Sequence, residues 1–475
     1  MMPVDSKDKT HIDQAPAWGF MRDLVAGQRV VHAKGECYLP RLSGESDDDF
    51  KARIKRATFF NATWRTIEAL VGMLFRKPPA VTVSPAAEGM LADVTKSGQA
   101  FPAFGERAAE ELETVGRVGL LVDYPQTSTA GLTVAQAQEL NVRPHLALYR
   151  SESILNARYA WINNRTVLSL VVLEETVEEP GKDKYTPSTV TQWRELELVP
   201  VTVGDVTRHL YHVGIKRKDA NGAEYYHVQP FMPMMGGQPM TEIPFEIVGD
   251  GVPPLEDLAR VNESHYHTTA DLEHGAHKTA LPQPWVAGLD ERVDAEGRPV
   301  DRTLKIGGGH AWALPQGATV GMLEYTGQGL AALEKRLDVK ERQMAVLGAR
   351  MLEQQKSGVE TAETAGIHRS GEQSILQNHA DALSAAFTRV LTWFDKWAGG
   401  PGTDVSAAVN KDFLPATLDA QAITALVGAW QQGAISKEQL FLKLQKGGVV
   451  SDGADFEDEE TKIANAPPVL SAGAV

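Results

Sequence analysis

Hydrophobic positions between residues 330 and 351 recur at alternating spacings of three and four: Leu330, Leu333, Leu337, Met344, Leu347 and Met351, with Lys340 at the one stripe position that is not apolar. This spacing predicts a helix with a narrow seam, because side chains three and four apart share one face. Its other faces carry Glu334, Lys335, Arg336, Asp338, Glu341 and Arg342, with Asp338 and Arg342 one turn apart, as in a surface ion pair. Such a stripe suits packing against a neighbouring helix, in the same domain or in another chain. Upstream, Pro253 and Pro254 suit the start of a helix that Pro282 and Pro284 end. Its apolar positions, Leu255, Leu258, Val261 and Leu272, with His265 among them, are few, so it is expected to be stable only if other chains or solvent bridges support it. Between these helices Trp285, Ile306, Trp312 and Leu314 lie on short strand-like runs divided by Gly and Pro, which predicts a small compact insert.

After Leu352 the polar run Gln355-Lys356-Ser357-Gly358-Val359-Glu360 has no apolar period and reads as a loop. A long helix is then expected from about Gly371 to Trp397, with Leu376, His379, Leu383, Phe387, Val390, Phe394 and Trp397 on its core face and Gly399-Gly400-Pro401 ending it. A start as early as Thr361 would give a length of ~55 Å at ~1.5 Å rise per residue.

The N-terminal half changes period partway. Ser46-Asp47-Asp48-Asp49 is a helix start, and Phe50, Ile54, Ala57, Trp64, Ile67, Val71 and Leu74 predict one buried stripe ended by Pro78-Pro79. Phe104, Ala108, Leu112 and Val115 predict a second helix. Val118 to Tyr124, His145 to Tyr149, Val167 to Leu173 and Leu196 to Val199 read as strands, and Asn221-Gly222 as a hairpin turn. Helices followed by consecutive strands predict an α+β fold with a largely antiparallel sheet. The stretch from Pro230 to Pro254, with Met232, Met234, Met235 and Met240, reads as a connection; flexible packing explains these methionines better than soft-metal binding, since no His or Cys sits among them. Towards the C-terminus two helices are expected, one with Leu418, Ile423, Leu426 and Trp430 and one with Ile435, Leu440, Leu442 and Leu444, ended by Gly447-Gly448. The acidic run Asp452 to Glu460 and the small-residue tail Ala464 to Val475 are expected to be mobile.

Composition changes this picture little. A chain of 475 residues with 43% hydrophobic content implies two or more folded substructures. No stretch approaches the ~18 apolar residues of a membrane span. Met1 to Pro16 has no apolar signal segment, and the single cysteine, Cys37, excludes an internal disulfide and suits a reducing cytoplasm. The net charge of −15 argues against a sequence-specific DNA binder, which would present a basic patch to phosphates. It is neutral towards a channel that passes DNA without gripping it, since acidic charge that maintains solubility accounts for the figure equally well.

Candidate chemistry centres on His265, His267, His274 and His277, interspersed with Glu263, Asp271 and Glu273. Glu263 and His267 lie one turn apart, as do Glu273 and His277, so the competing functional reading is a cytoplasmic metal-dependent enzyme. The pattern is not His-Glu-x-x-His, and a structural or subunit-interface role is preferred, with no metal and no cofactor assigned. No Gly-x-x-x-x-Gly-Lys-Ser/Thr phosphate loop and no Gly-x-Ser-x-Gly elbow occurs, and Gly307-Gly308-Gly309-His310 lacks the strand-then-helix setting of a phosphate cradle. No catalytic residue is assigned, and a non-enzymatic role is expected.

Most of the chain resembles the portal proteins of tailed bacteriophages, in particular a branch of shorter portals once catalogued only as a domain of unknown function. The resemblance rests on Leu347-Gly348-Ala349-Arg350-Met351-Leu352, on Glu360-Thr361-Ala362-Glu363-Thr364-Ala365 leading into Ser370-Gly371-Glu372-Gln373-Ser374, and on the run from Gly433 through Glu460. It implies a wing over 1–252, a first stem helix over 253–280, a clip over 281–325, a second stem helix over 326–354, a tunnel loop and long wing helix over 355–400, and a helical crown and tail over 401–475. Leu255, Leu258, Val261, His265, Leu330, Leu333, Leu337, Met344, Leu347 and Met351 would then be stem and subunit contacts. Trp285, Ile306, Trp312 and Leu314 would belong to the clip, and Gln355 to Glu360 would form the tunnel loop. The resemblance further implies a homo-oligomer of typically twelve subunits at the portal vertex of the virion, made in the bacterial cytoplasm and not in a membrane. Double-stranded DNA would pass through it, and its partners would be the terminase large subunit, head-completion or tail adaptor proteins, and the major capsid and scaffolding proteins.

Overall fold

Two N-cap side chains divide the N-terminal stripe that the apolar spacing joined. Ser46 accepts the Asp49 N–H and opens α3 (Asp47–Arg56), while Asn61 accepts the Trp64 N–H and opens α4 (Ala62–Leu74). Ala57 between them is extended, and the Asn61 amide also donates to the Val25 carbonyl, which fixes the break. The single helix expected over this stripe is therefore two, because local capping outweighs apolar periodicity. This computed structural model describes residues 3–125, 136, 139–183, 185–203, 206–280, 283–288, 316–323, 328–350, 374–413, 420–446, 449–450 and 454–465.

The helical body contains α1 (Lys9–Ala26), α2 (Gln28–Ala33), α4, α5 (Pro85–Glu88), α6 (Phe101–Val115), the buried first half of α7 (Glu256–Ala280), then α8 (Gln328–Arg350) and α9 (Ile375–Trp397). Met21, Leu24, Ile67, Leu70, Phe104 and Leu112 share one core with the buried face of α9, where Phe101 and Phe387 pack edge to face with ring centroids 5.4 Å apart. Full burial of each such side chain contributes ~1.5–3 kcal/mol. Leu376, Leu383, Phe387, Val390 and Phe394 of the core face predicted for α9 are buried as expected, whereas Trp397 is only partly buried and His379 is partly buried and bonds to Glu113. Its start differs from the expected Gly371. Ser374 is extended and accepts the Gln377 N–H, so it caps a helix that begins at Ile375.

Gly116 ends α6 in the left-handed region (φ +75°) and turns the chain into β2 (Val118–Asp123). This strand is central in a three-stranded antiparallel sheet, flanked by β3 (His145–Arg150) and β11 (Phe245–Val248). A second sheet is an antiparallel meander of β4 (Ile154–Ile162), β5 (Arg165–Asp183), β6 (Thr186–Val203), β7 (Val206–Lys218) and β8 (Glu224–Phe231). Leu121, Ile154, Val171, Leu173, Leu196, Val213 and Phe245 fill the core shared by the two sheets. Beyond it, β5 and β6 continue as a polar ribbon, tied to each other by Arg194 and Glu175 and to β7 by Glu179 and Arg217. The apolar runs Val167 to Leu173 and Leu196 to Val199 thus mark only the anchored parts of strands 19 and 18 residues long. The Asn221-Gly222 turn is as expected: Gly222 has φ +82° and donates to the Asp219 carbonyl at 3.0 Å in the five-residue loop, 219–223, between β7 and β8.

The segment from Pro230 to Pro254 is more than a connection. It supplies a small hairpin, β9 (Met234–Met235) with β10 (Gln238–Pro239), and then β11, whose pairing with β2 completes the first sheet; Met240 is buried and Met232 and Met234 are exposed. Beyond α9, β14 (Ser406–Ala408) pairs with β1 (Ala80–Thr82). The C-terminal helices are α10 (Ala420–Gln431), α11 (Lys437–Lys446) and α12 (Phe456–Asn465). Part of the acidic run expected to be mobile is therefore helical: Phe456 packs on Phe441 at 5.5 Å and Glu460 pairs with Lys437 at 3.0 Å. No described helix is long and apolar enough to cross a membrane.

Candidate functional site: an antiparallel helical hairpin

The two helices flanking the insert pack on each other in one antiparallel register. A Cβ built on Gly275 would meet Leu330 at 2.8 Å, Lys340 bonds to Ser264 and Thr268, and Gly348 lies against Leu258 and against Thr66 of α4. The same register continues into the strands that extend the hairpin, β12 (Gln283–Ala287) and β13 (Thr319–Leu323), where Gln283 faces Leu323 and Ala287 faces Thr319. Helices and ribbon therefore share one antiparallel register. At ~1.5 Å per residue α7 and α8 run ~37 and ~35 Å.

The seam follows the predicted stripe. Met344 is buried, Leu330, Leu333, Leu337, Lys340 and Leu347 are half-buried, and every other position from 331 to 346 is exposed. On α7 and just before it, Leu255, Leu258 and His265 are buried and Val261 is partly buried. The support expected from other chains or solvent is thus supplied in part by this chain, since α7 also packs on α1, α3 and α4, whereas α8 leans mainly on α7. Lys340 is the polar member of the seam, and its Nζ donates to the Ser264 carbonyl and to Thr268 Oγ1, each at 2.6 Å. Burial, reinforced by Arg336, holds its pKa below the usual lysine value. Periodicity located this lysine but not its acceptors, because these belong to the other helix.

The histidines of α7 have separate neighbours. His265 Nε2 lies 3.4 Å from Glu341 Oε1, and burial pushes its pKa down against the opposing pull of that carboxylate. His267 Nε2 donates to the Tyr38 carbonyl at 2.7 Å. His274 Nδ1 is buried without a hydrogen-bond partner, and His277 is exposed. Among the described residues, no three His, Cys, Asp or Glu side chains converge as metal ligands.

Trp285 lies on the ribbon with its indole over Gly321, where a Cβ would come within 2.7 Å of the ring. Trp285, Val320 and Met322 are all exposed. Met351, Ile306, Trp312, Leu314 and the whole of Gln355 to Glu360 lie outside the described residues.

Residues 254–398 match the family described as a domain of unknown function, DUF4055. That span opens just before α7 and closes just after α9. No curated protein matches the chain. Among solved structures, a chain from the virion of a native gene transfer agent particle is similar at 15% identity and a TM-score of 0.35, over 94% of this chain and 99% of that one. A chain from the neck of the empty particle, computed with C6 symmetry, is similar at 13% identity and a TM-score of 0.36, over 94% and 100%. One from the neck of the native particle, computed with C12 symmetry, gives 14% and 0.36, over 88% and 98%.

Proposed function

We propose that this chain is a ring-forming channel subunit, the portal protein of a tailed-phage-like particle, with α7 and α8 as the stem and the β12–β13 ribbon as the base of the clip. The observation that carries this reading is the exposure of α8. A helix of 23 residues buries a single stripe and leaves the rest of its circumference open, which a lone chain has little means to stabilise and a ring of adjacent stems does. The residue runs that resemble portals support the same assignment. On this reading the ring passes double-stranded DNA without base recognition and performs no chemistry. The terminase large subunit and then head-completion or tail adaptor proteins dock at its clip end, in a virion that also contains the major capsid and scaffolding proteins. The dispersal of His265, His267, His274 and His277 gives the metal-enzyme alternative no support.

Light scattering after size exclusion, with negative-stain electron microscopy, tests the reading. Rings of about twelve subunits with a central hole are the expected result; a zinc-bearing monomer or dimer that loses its metal on His265→Ala overturns it.

A further inference from the structure

Arg117, between α6 and β2, is 3% exposed, and its Nη1 is buried without a hydrogen-bond partner. Among the described residues no carboxylate lies within ion-pair distance of it. Several other arginines are matched: Arg53 holds Glu45, Arg22 holds Glu111 and Glu152, and Arg194 holds Glu175 and Asp123, whereas half-buried Arg56 also leaves its Nε without a partner. A buried guanidinium with no carboxylate in contact is costly, so Arg117 marks a place where the isolated chain is electrostatically incomplete.

Its surroundings deepen the imbalance. Gly251 packs against the Arg117 side chain, against Trp18 and against Thr10 in the first turn of α1. The N-terminus of this 18-residue helix carries partial positive charge, and the amides of its first turn have no intrahelical acceptor. The fields of Asp8, the N-cap, and of the Tyr159 phenol act on Arg117 against the effect of its burial. Both Asp8 carboxylate oxygens are already engaged, Oδ1 by the His11 N–H at 2.8 Å and Oδ2 by the Ala157 N–H at 3.1 Å. Tyr159 is 60% exposed on β4.

We propose that Arg117 and the first turn of α1 form a receptor for one oxyanion, a carboxylate or a phosphate, entering beside Tyr159. A planar guanidinium and a helix N-terminus are complementary to such a group, and together they would supply the missing counter-charge. The carboxylate source is an acidic side chain of another protein chain; the phosphate source is the free ion.

The test uses the full-length protein in chloride buffer at fixed ionic strength, with phosphate and acetate as separate probes, followed by thermal melting and titration calorimetry. Wild type should show a saturable rise in melting temperature with at least one probe, and Arg117→Met should show none. Response to acetate assigns the carboxylate source, and response to phosphate alone assigns the free ion. Without either probe, Arg117→Met should melt no lower than wild type, since it removes an unpaired charge. Asp8→Asn keeps the helix cap and removes a competing carboxylate, so it should bind the probe several-fold more tightly. An absent or non-saturable response in wild type, an equal response in Arg117→Met, or a melting point lowered by that substitution in probe-free buffer overturns the proposal.

Discussion

Glu113 on α6 is wholly buried, and its one hydrogen bond joins Oε1 to His379 Nδ1 at 2.8 Å, in the second turn of α9; Oε2 is buried and unbonded. Replacing His379 by Ala leaves both oxygens without a partner in the core. If the carboxyl keeps its charge the cost approaches the ~3–5 kcal/mol of a broken buried ion pair. If it takes up a proton the cost falls towards the ~1–3 kcal/mol of an unsatisfied buried polar group. About 3 kcal/mol is therefore expected for His379→Ala. With a urea dependence of about 3 kcal/mol/M that loss moves the midpoint by about 1 M. Glu113→Leu combined with His379→Phe, which replaces both partners by apolar groups, should recover most of the loss. The assay is urea unfolding followed by tryptophan fluorescence, since Trp393 is buried on the same helix and reports on α9. The cycle with both single variants should give a coupling of about 2 kcal/mol. A His379→Ala cost below about 1 kcal/mol, or one equally large when residue 113 is Leu, would refute the reasoning.

Three further outcomes are expected. Gly116→Ala should severely destabilise or prevent folding, because φ is +75° and a Cβ there overlaps the Val252 carbonyl oxygen; a melting point within 2 degrees of wild type, roughly a shift of well under 1 kcal/mol, contradicts this. Burial depresses the pKa of His265 between Glu341, Lys340 and the Phe60 ring, and also those of His11, His145 and His274. The unfolded chain then binds more protons as pH falls through about 6.5, so stability should drop from pH 7.5 to 5.5 and His265→Gln should flatten the drop; parallel urea-midpoint curves would exclude it. Deleting Gln355 to Glu360 should leave ring assembly intact and impair packaging or retention of DNA in particles, and normal genome filling would count against the tunnel-loop assignment.

By itself the sequence determined what depends on neighbours in the chain. The α8 seam, the core face of α9, the α6 stripe and the Gly222 turn were legible because their signals, spacings of three and four or a glycine able to take positive φ, are local. Legibility failed where a contact from elsewhere decided the outcome. Asn61 splits the N-terminal stripe with help from the Val25 carbonyl of α1, β11 becomes a strand by pairing with β2, and the polar halves of β5 and β6 are held by cross-strand ion pairs that leave no apolar signature. The helical hairpin divides along the same line. Its stripe was readable, but the acceptors of Lys340, the separate partners of the α7 histidines and the isolation of Arg117 depend on residues far apart in sequence, which only folding brings together or keeps apart.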